Sequence, residues 1–109
     1  MFSNPFKRAS VDVSEALRRQ KEEQAIILDV RTREEWKTGH APGAMHISLQ
    51  SLTGRAAKLE GSQVLAICRS GSRSGRAAGY LRSQGIDALN VRGGMNAWNR
   101  AGLPTTKKG

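Results

Sequence analysis

The chain contains a single cysteine, Cys68, and the loop that follows it has the composition of an anion-binding cradle. Gly71 permits a positive φ, and consecutive backbone N–H groups in such a turn can converge on one anion. Arg69 and Arg73 add positive charge, and a predicted helix begins where the loop ends. We therefore expect the pKa of Cys68 to lie below its usual range, which favours a thiolate nucleophile. The candidate site comprises Cys68, Arg69, Ser70, Gly71, Ser72, Arg73 and Ser74.

The alternative for a lone cysteine at a strand end is inert packing as a small apolar side chain. Two flanking arginines favour the nucleophile. Arg73 lies five positions after Cys68, one fewer than in cysteine phosphatases, so the cradle suits a terminal sulfur better than a tetrahedral phosphate. A cysteine-dependent phosphatase or arsenate reductase of related architecture remains the alternative enzyme.

Helical and strand patterns alternate along the chain, which predicts an α/β domain with a mostly parallel sheet. Ligand sites in such sheets lie beyond the carboxyl ends of the strands, where Cys68 and Arg31 both fall. Thr32 and Glu35 form the sequence pattern of a capping box at the start of a short helix. Strands are predicted over residues 25–30, 44–49, 63–68 and 86–91. Two longer helices are predicted over 14–23 and 74–84, and a short helix over 95–100.

The 109 residues fit one domain, and the formal charge of +9 is unevenly distributed. Residues 1–54 carry a net +1, whereas residues 55–109 carry a net +8. The positive half contains the cysteine loop, so its charge is predicted to attract small anions. A basic module that binds nucleic acid is the non-enzymatic alternative, but no nucleic-acid motif or aromatic stacking platform accompanies the charge.

One cysteine excludes an internal disulfide and a multi-cysteine zinc site within the chain. The sequence shows neither an apolar run long enough to span a membrane nor a secretory signal, so a cytoplasmic location is expected. Residues 1–9 are predicted to form a flexible arm, 10–104 the domain, and 105–109 a solvated tail containing Lys107 and Lys108.

Six segments together resemble the single-domain form of the rhodanese (thiosulfate sulfurtransferase) family. The resemblance implies a five-stranded, mostly parallel sheet flanked by helices, and a Cys68 that alternates between thiolate and persulfide. The donor would be thiosulfate or another small anionic sulfur compound, and the acceptor a thiol, a thioredoxin-like protein or cyanide. The backbone N–H groups of residues 69–74 would hold the persulfide, and Arg69 and Arg73 would attract the donor and stabilise departing sulfite; no cofactor is implied. The segments are Asp29–Arg31, Glu34–Trp36, Gly39–Ala44, Cys68–Arg73, Gly93–Trp98 and Gly102–Pro104.

Several other residues have structural interpretations. Asp29 lies in an apolar strand and needs a buried partner, which could be Arg31; alternatively Arg31 lies near the mouth of the pocket. His40 and His46 lack a third ligand, which disfavours a metal site and favours hydrogen bonding. Trp36 and Trp98 are expected to pack in the core or a pocket wall, and the Gly93–Gly94 turn is expected to pass close to the cysteine loop.

Overall fold

The computed structural model describes residues 9–109, so the expectation of a flexible arm over residues 1–9 lies almost wholly outside the described residues. The central sheet has five strands in the order β1-β5-β4-β2-β3, and every pairing is parallel. The strands are β1 (Ser10–Val11), β2 (Ile26–Asp29), β3 (Met45–His46), β4 (Gln63–Ile67) and β5 (Asp87–Val91). The helices are α1 (Val13–Glu23), α2 (Arg33–Lys37), α3 (Ser72–Ser83) and α4 (Gly94–Arg100), with 3-10 turns at Leu49–Ser51 and Ala56–Leu59.

Both faces of the sheet are covered, which explains why its strands are continuously apolar. Side chains alternate along each strand, so neighbouring residues enter different cores. Leu28 and Val64 pack in one cluster together with Cys68 and α3, whereas Ile27 and Leu65 pack in the other with α1 and α4. Cys68 therefore belongs to the α3 side of the sheet.

Side-chain caps define the starts of two helices, and the cap on α2 is the one predicted from the sequence. Asp12 caps α1 by accepting a hydrogen bond from the Glu15 N–H at 2.8 Å. Thr32 and Glu35 form a complete capping box on α2. These caps fix the entry of the chain after β1 and after β2.

The structure departs most from the sequence prediction in three elements. Helix α3 begins at Ser72 rather than at residue 74, because Gly71 adopts a φ of 110° and turns the chain directly into the helix. The predicted strand over 44–49 is regular only at Met45–His46, and the chain then enters the first 3-10 turn. Strand β1 was not predicted, because two residues carry no readable alternation.

The predicted solvated tail packs against the domain. His40 and Thr106 exchange two backbone hydrogen bonds of 2.9 Å each. Trp36 Nε1 donates to the Gly109 carbonyl at 3.1 Å, and a ring nitrogen of His40 lies 2.6 Å from the Lys108 carbonyl. The lysine side chains are exposed as expected, but the backbone that carries them follows the loop after α2.

Candidate active site

Cys68 directly follows β4, the central strand, and its sulfur lies inside the turn that leads into α3. The Gly71 N–H donates to Sγ at 3.1 Å, and the Ser74 N–H and hydroxyl lie 3.4 and 3.2 Å away. The Ser74 N–H belongs to the first turn of α3, where backbone donors have no partner within the helix. Cys68 is only 1% exposed, so these donors surround a sulfur with little access to water.

Two opposing effects act on the ionisation of this thiol. Burial is the largest single effect and raises the pKa of Cys68. Hydrogen bonds from the Ser74 hydroxyl and from the backbone N–H groups of Ser74, Gly71 and Ser70 lower the pKa, and their combined effect exceeds that of burial. The net pKa lies below the usual value, in the direction that the sequence predicted. The backbone N–H groups contribute as the sequence predicted, and the Ser74 hydroxyl is a donor that was not expected to act on the pKa.

The Ser74 hydroxyl has two acceptors and only one proton. Its oxygen lies 3.2 Å from Cys68 Sγ and 2.6 Å from Asn90 Oδ1. The orientation of the Asn90 amide follows from the network, since its Nδ2 donates to the Gly71 carbonyl at 3.1 Å. A neutral thiol can donate to Ser74, which then donates to Asn90, whereas a thiolate requires the hydroxyl to rotate toward sulfur. Ser74 thus responds to the charge on Cys68.

The Gly93–Gly94 turn supports the cysteine loop from behind, as the sequence predicted. The N–H groups of Met95 and Asn96 donate to the carbonyls of Cys68 and Arg69 at 2.8 and 3.0 Å. A Cβ on Gly94 would lie 2.6 Å from the Arg69 carbonyl carbon, closer than real side chains approach. Glycine is therefore required here for the start of α4 to fix the loop backbone.

The two loop arginines have different environments. Arg73 forms a bidentate ion pair with Glu35 at 2.7 and 2.8 Å, whereas Arg69 is 69% exposed and lies 3.9 Å from the same carboxylate. The Arg73 guanidinium lowers the pKa of Glu35 to about 2, with a further contribution from the Thr32 N–H that overcomes partial burial. The sequence assigned both arginines to the attraction of anions. In the structure the charge of Arg73 is matched by Glu35, which leaves Arg69 as the exposed cation of the loop.

Arg31 pairs with Asp29. The guanidinium contacts both carboxylate oxygens at 2.8 to 3.1 Å and donates to the Gly39 carbonyl at 2.8 Å. Asp29 is fully buried and Arg31 is 5% exposed. Of the two positions considered for Arg31, this geometry matches the buried partner of Asp29 rather than the mouth of a pocket.

The histidines and tryptophans make stacking and hydrogen-bonding contacts. Trp36 stacks on His40 with ring centroids 3.3 Å apart, and His46 stacks on it at 4.8 Å. His46 Nε2 lies 2.8 Å from the Arg31 carbonyl, and Trp98 is fully buried in the α4 core. Residues 9–109 contain no group of three or more acidic, histidine or cysteine residues placed to hold a metal ion. No helix in the described range is long and apolar enough to cross a membrane.

The residues that contact Cys68 in the structure differ in part from those predicted to surround it. The N–H groups of Gly71 and Ser74 contact Sγ, whereas no hydrogen bond within residues 9–109 joins the backbone N–H of Arg69, Ser72 or Arg73 to it. Sequence reasoning missed Asn90 and the second role of Glu35. Asn90 could have been noticed as a polar residue within the apolar pattern of β5. For Glu35 the sequence indicated only a role in capping the helix.

Comparisons with known proteins agree with this geometry. A family model described as a Rhodanese-like domain matches residues 12–101. A thiosulfate sulfurtransferase, GlpE, from Vibrio cholerae is 36% identical over 96 residues, which cover 86% of this chain and 91% of the relative. A sulfurtransferase from Allochromatium vinosum is 38% identical over 84 residues, covering 75% and 78% of the two chains.

Solved structures show the same architecture. A rhodanese-like domain protein from Staphylococcus aureus superposes with a TM-score of 0.76 at 34% identity, covering 82% of this chain and 89% of the other. A rhodanese-related protein from Thermoplasma volcanium superposes with a TM-score of 0.84 at 26% identity, covering 91% and 98%.

Proposed function

The chain belongs to the rhodanese-like domain family, and from that membership we propose that it moves the outer sulfur of thiosulfate to a thiol through a persulfide on Cys68. The observation that carries this proposal is the set of donors around a single buried cysteine. The Gly71 N–H and the two Ser74 donors lie 3.1 to 3.4 Å from Sγ. They stabilise the attacking thiolate and remain in place for a sulfur bound to it.

In the first half-reaction, the Cys68 thiolate attacks the outer sulfur of thiosulfate. A new bond joins Sγ to that sulfur, the sulfur–sulfur bond of thiosulfate breaks, and its electron pair leaves on sulfite. Arg69 is exposed and meets the dianionic donor and the departing sulfite. In the second half-reaction, an acceptor thiolate attacks the outer sulfur and restores the Cys68 thiolate. Two separate displacements predict ping-pong kinetics.

Two features favour sulfur transfer over phosphate chemistry. Cys68 is 1% exposed, so a narrow terminal sulfur fits its access better than a tetrahedral phosphoryl group that the loop must surround. Arg73, the cation that a phosphatase mechanism would direct at a phosphate, is held by Glu35 at 2.7 Å. Both features support a sulfur donor.

Steady-state sulfite release tests the proposal. With thiosulfate and a thiol varied together, double-reciprocal plots should give parallel lines, and Cys68→Ser should abolish release while its circular dichroism spectrum stays that of the folded protein. Sulfite release that persists in Cys68→Ser would refute the role of the cysteine. Cysteine-dependent hydrolysis of an aryl phosphate, without any sulfite release, would identify the phosphatase alternative instead.

A further inference from the structure

A cavity of about 320 Å³ lies beside the cysteine loop and has no role in the first half-reaction. Val30 and Leu49 give it an apolar wall, and its polar lining includes Arg33, Glu34 and Arg73. This volume lies within the range of sites that bind small molecules, which begins at about 300 Å³. We call this space the Arg33 cavity.

Two residues that line the Arg33 cavity are connected to the surroundings of Cys68. Arg73 directly precedes Ser74, whose hydroxyl and N–H contact Cys68 Sγ. Val30 belongs to the same buried apolar cluster as Cys68. Val30 also extends β2 at the carboxyl edge of the sheet, where its N–H donates to the carbonyl of Ile67. The cavity therefore shares part of its wall, the Arg73 side chain, with the cysteine loop.

The cavity is lined by charges of both signs, from Arg33, Glu34 and Arg73. Arg73 is already matched by Glu35. Arg33 and Glu34 are exposed, and within the described part of the chain neither side chain has an ion-pair or hydrogen-bond partner. Adjacent residues of a helix do not face each other, and no ion pair joins these two side chains within the described residues. An open cation and an open anion together match a zwitterion.

We propose that the Arg33 cavity binds the sulfur acceptor, and that the acceptor is a small amino-acid thiol with a free carboxylate and a free ammonium group. Arg33 pairs with the carboxylate and Glu34 with the ammonium, while Val30 and Leu49 contact the methylene that carries the thiol. This inference rests on the proposed sulfur transfer and adds the class of acceptor to it.

The transfer step balances without any further reactant. The acceptor thiolate attacks the outer sulfur of the Cys68 persulfide, so a bond forms between these two sulfurs. The bond from Sγ to the outer sulfur breaks, and its electron pair remains on Sγ as the thiolate. The acceptor leaves as a persulfide, and no oxidant or reductant is consumed.

Four thiols distinguish the contributions of the carboxylate and the ammonium group to binding. Cysteine carries both groups, 3-mercaptopropionate only the carboxylate, cysteamine only the ammonium, and 2-mercaptoethanol neither. KM for each is measured by sulfite release at saturating thiosulfate. Arg33→Gln should raise KM about fivefold for cysteine and 3-mercaptopropionate, as expected for a strong exposed ion pair. Glu34→Gln should raise KM by a similar factor for cysteine and cysteamine. Neither variant should change KM for 2-mercaptoethanol.

Arg100→Gln is the matched control, since Arg100 is an exposed arginine in the last turn of α4. Its KM values should equal those of the unaltered protein for all four thiols. The acceptor proposal is overturned if Arg33→Gln and Glu34→Gln change all four KM values equally or none of them. A missing sulfite burst when thiosulfate is added without acceptor would instead refute the proposed function itself.

Discussion

Replacing Ser74 with alanine should raise the pKa of Cys68. Ser74 is fully buried, and its hydroxyl is the only side-chain donor to Sγ within the described residues, at 3.2 Å. Its removal takes a donor from the thiolate and leaves the backbone N–H groups of Gly71 and Ser74 in place. Because an O–H donor stabilises the thiolate more than a weak S–H donor to the same oxygen stabilises the thiol, the pKa should move upward.

The magnitude follows from the strength of the lost hydrogen bond. A hydrogen bond to a charged group contributes about 1.5–3 kcal/mol. Sulfur is a weak acceptor, and Asn90 Oδ1 competes for the same proton at 2.6 Å, so the lower end applies. We therefore expect a rise of about one pKa unit, equivalent to ~1.4 kcal/mol. Below both pKa values the thiolate fraction, and with it the rate of persulfide formation, should fall about tenfold. Above both values the two proteins should react alike.

The ultraviolet absorbance of the thiolate, followed against pH, measures this shift. Cys68 is the only cysteine, so the signal has one source, and the pH dependence of alkylation provides a second readout. Ser83→Ala is the matched control, because that hydroxyl lies on the same helix but donates to the Tyr80 carbonyl. An unchanged pKa in a folded Ser74→Ala protein would show that the proton stays on Asn90 and that the serine does not support the thiolate.

Three further substitutions test the support of the site, each by urea unfolding. The pKa of Glu35 falls from 4.5 to about 2 on folding, so its pairing stabilises the protein above pH 4.5 and is lost as the pH falls toward 2. Glu35→Gln should therefore cost about 1–2 kcal/mol at pH 7 and progressively less in acid; a cost independent of pH would contradict this. Gly94→Ala should lower the free energy of unfolding by about 3 kcal/mol, from overpacking and backbone strain. Gly102→Ala should lower it by only about 1 kcal/mol, because Gly102 has a similar positive φ but open space around it. Equal losses would exclude a close approach of Gly94 to the cysteine loop. Arg31→Met should cost about 3–5 kcal/mol by leaving Asp29 charged and buried, and Asp29→Leu in the same chain should recover part of it; a double variant no more stable than the single would contradict this explanation.

Features encoded locally were predictable from the sequence. The capping box of Thr32 and Glu35 depends on residues three positions apart. The position of Cys68 at the carboxyl edge follows from an apolar strand that ends beside it, and Gly71 adopts the positive φ that its residue type permits. Each of these needed only neighbouring residues and the general rules of parallel sheets.

Three features that depend on long-range contacts were not predicted. Glu35 pairs with Arg73 across 38 positions, and the capping pattern already gave that carboxylate a sufficient role. Asn90 reaches the loop because β5 lies beside β4, a strand order that no local pattern specifies. The docked tail depends on a bridge between His40 and Thr106. One sequence offers no means to pair such distant residues.

Whether Cys68 carries sulfur is decided by the mass of the intact protein, measured after incubation with thiosulfate and removal of excess donor. If Cys68 carries the sulfur, one sulfur atom is added per chain, one sulfite is released, and a thiol then removes the added sulfur. Cys68→Ser should gain nothing under the same conditions. An unaltered protein that stays at its original mass and releases no sulfite, or a Cys68→Ser protein that still gains sulfur, would contradict the assignment of Cys68 as the sulfur carrier.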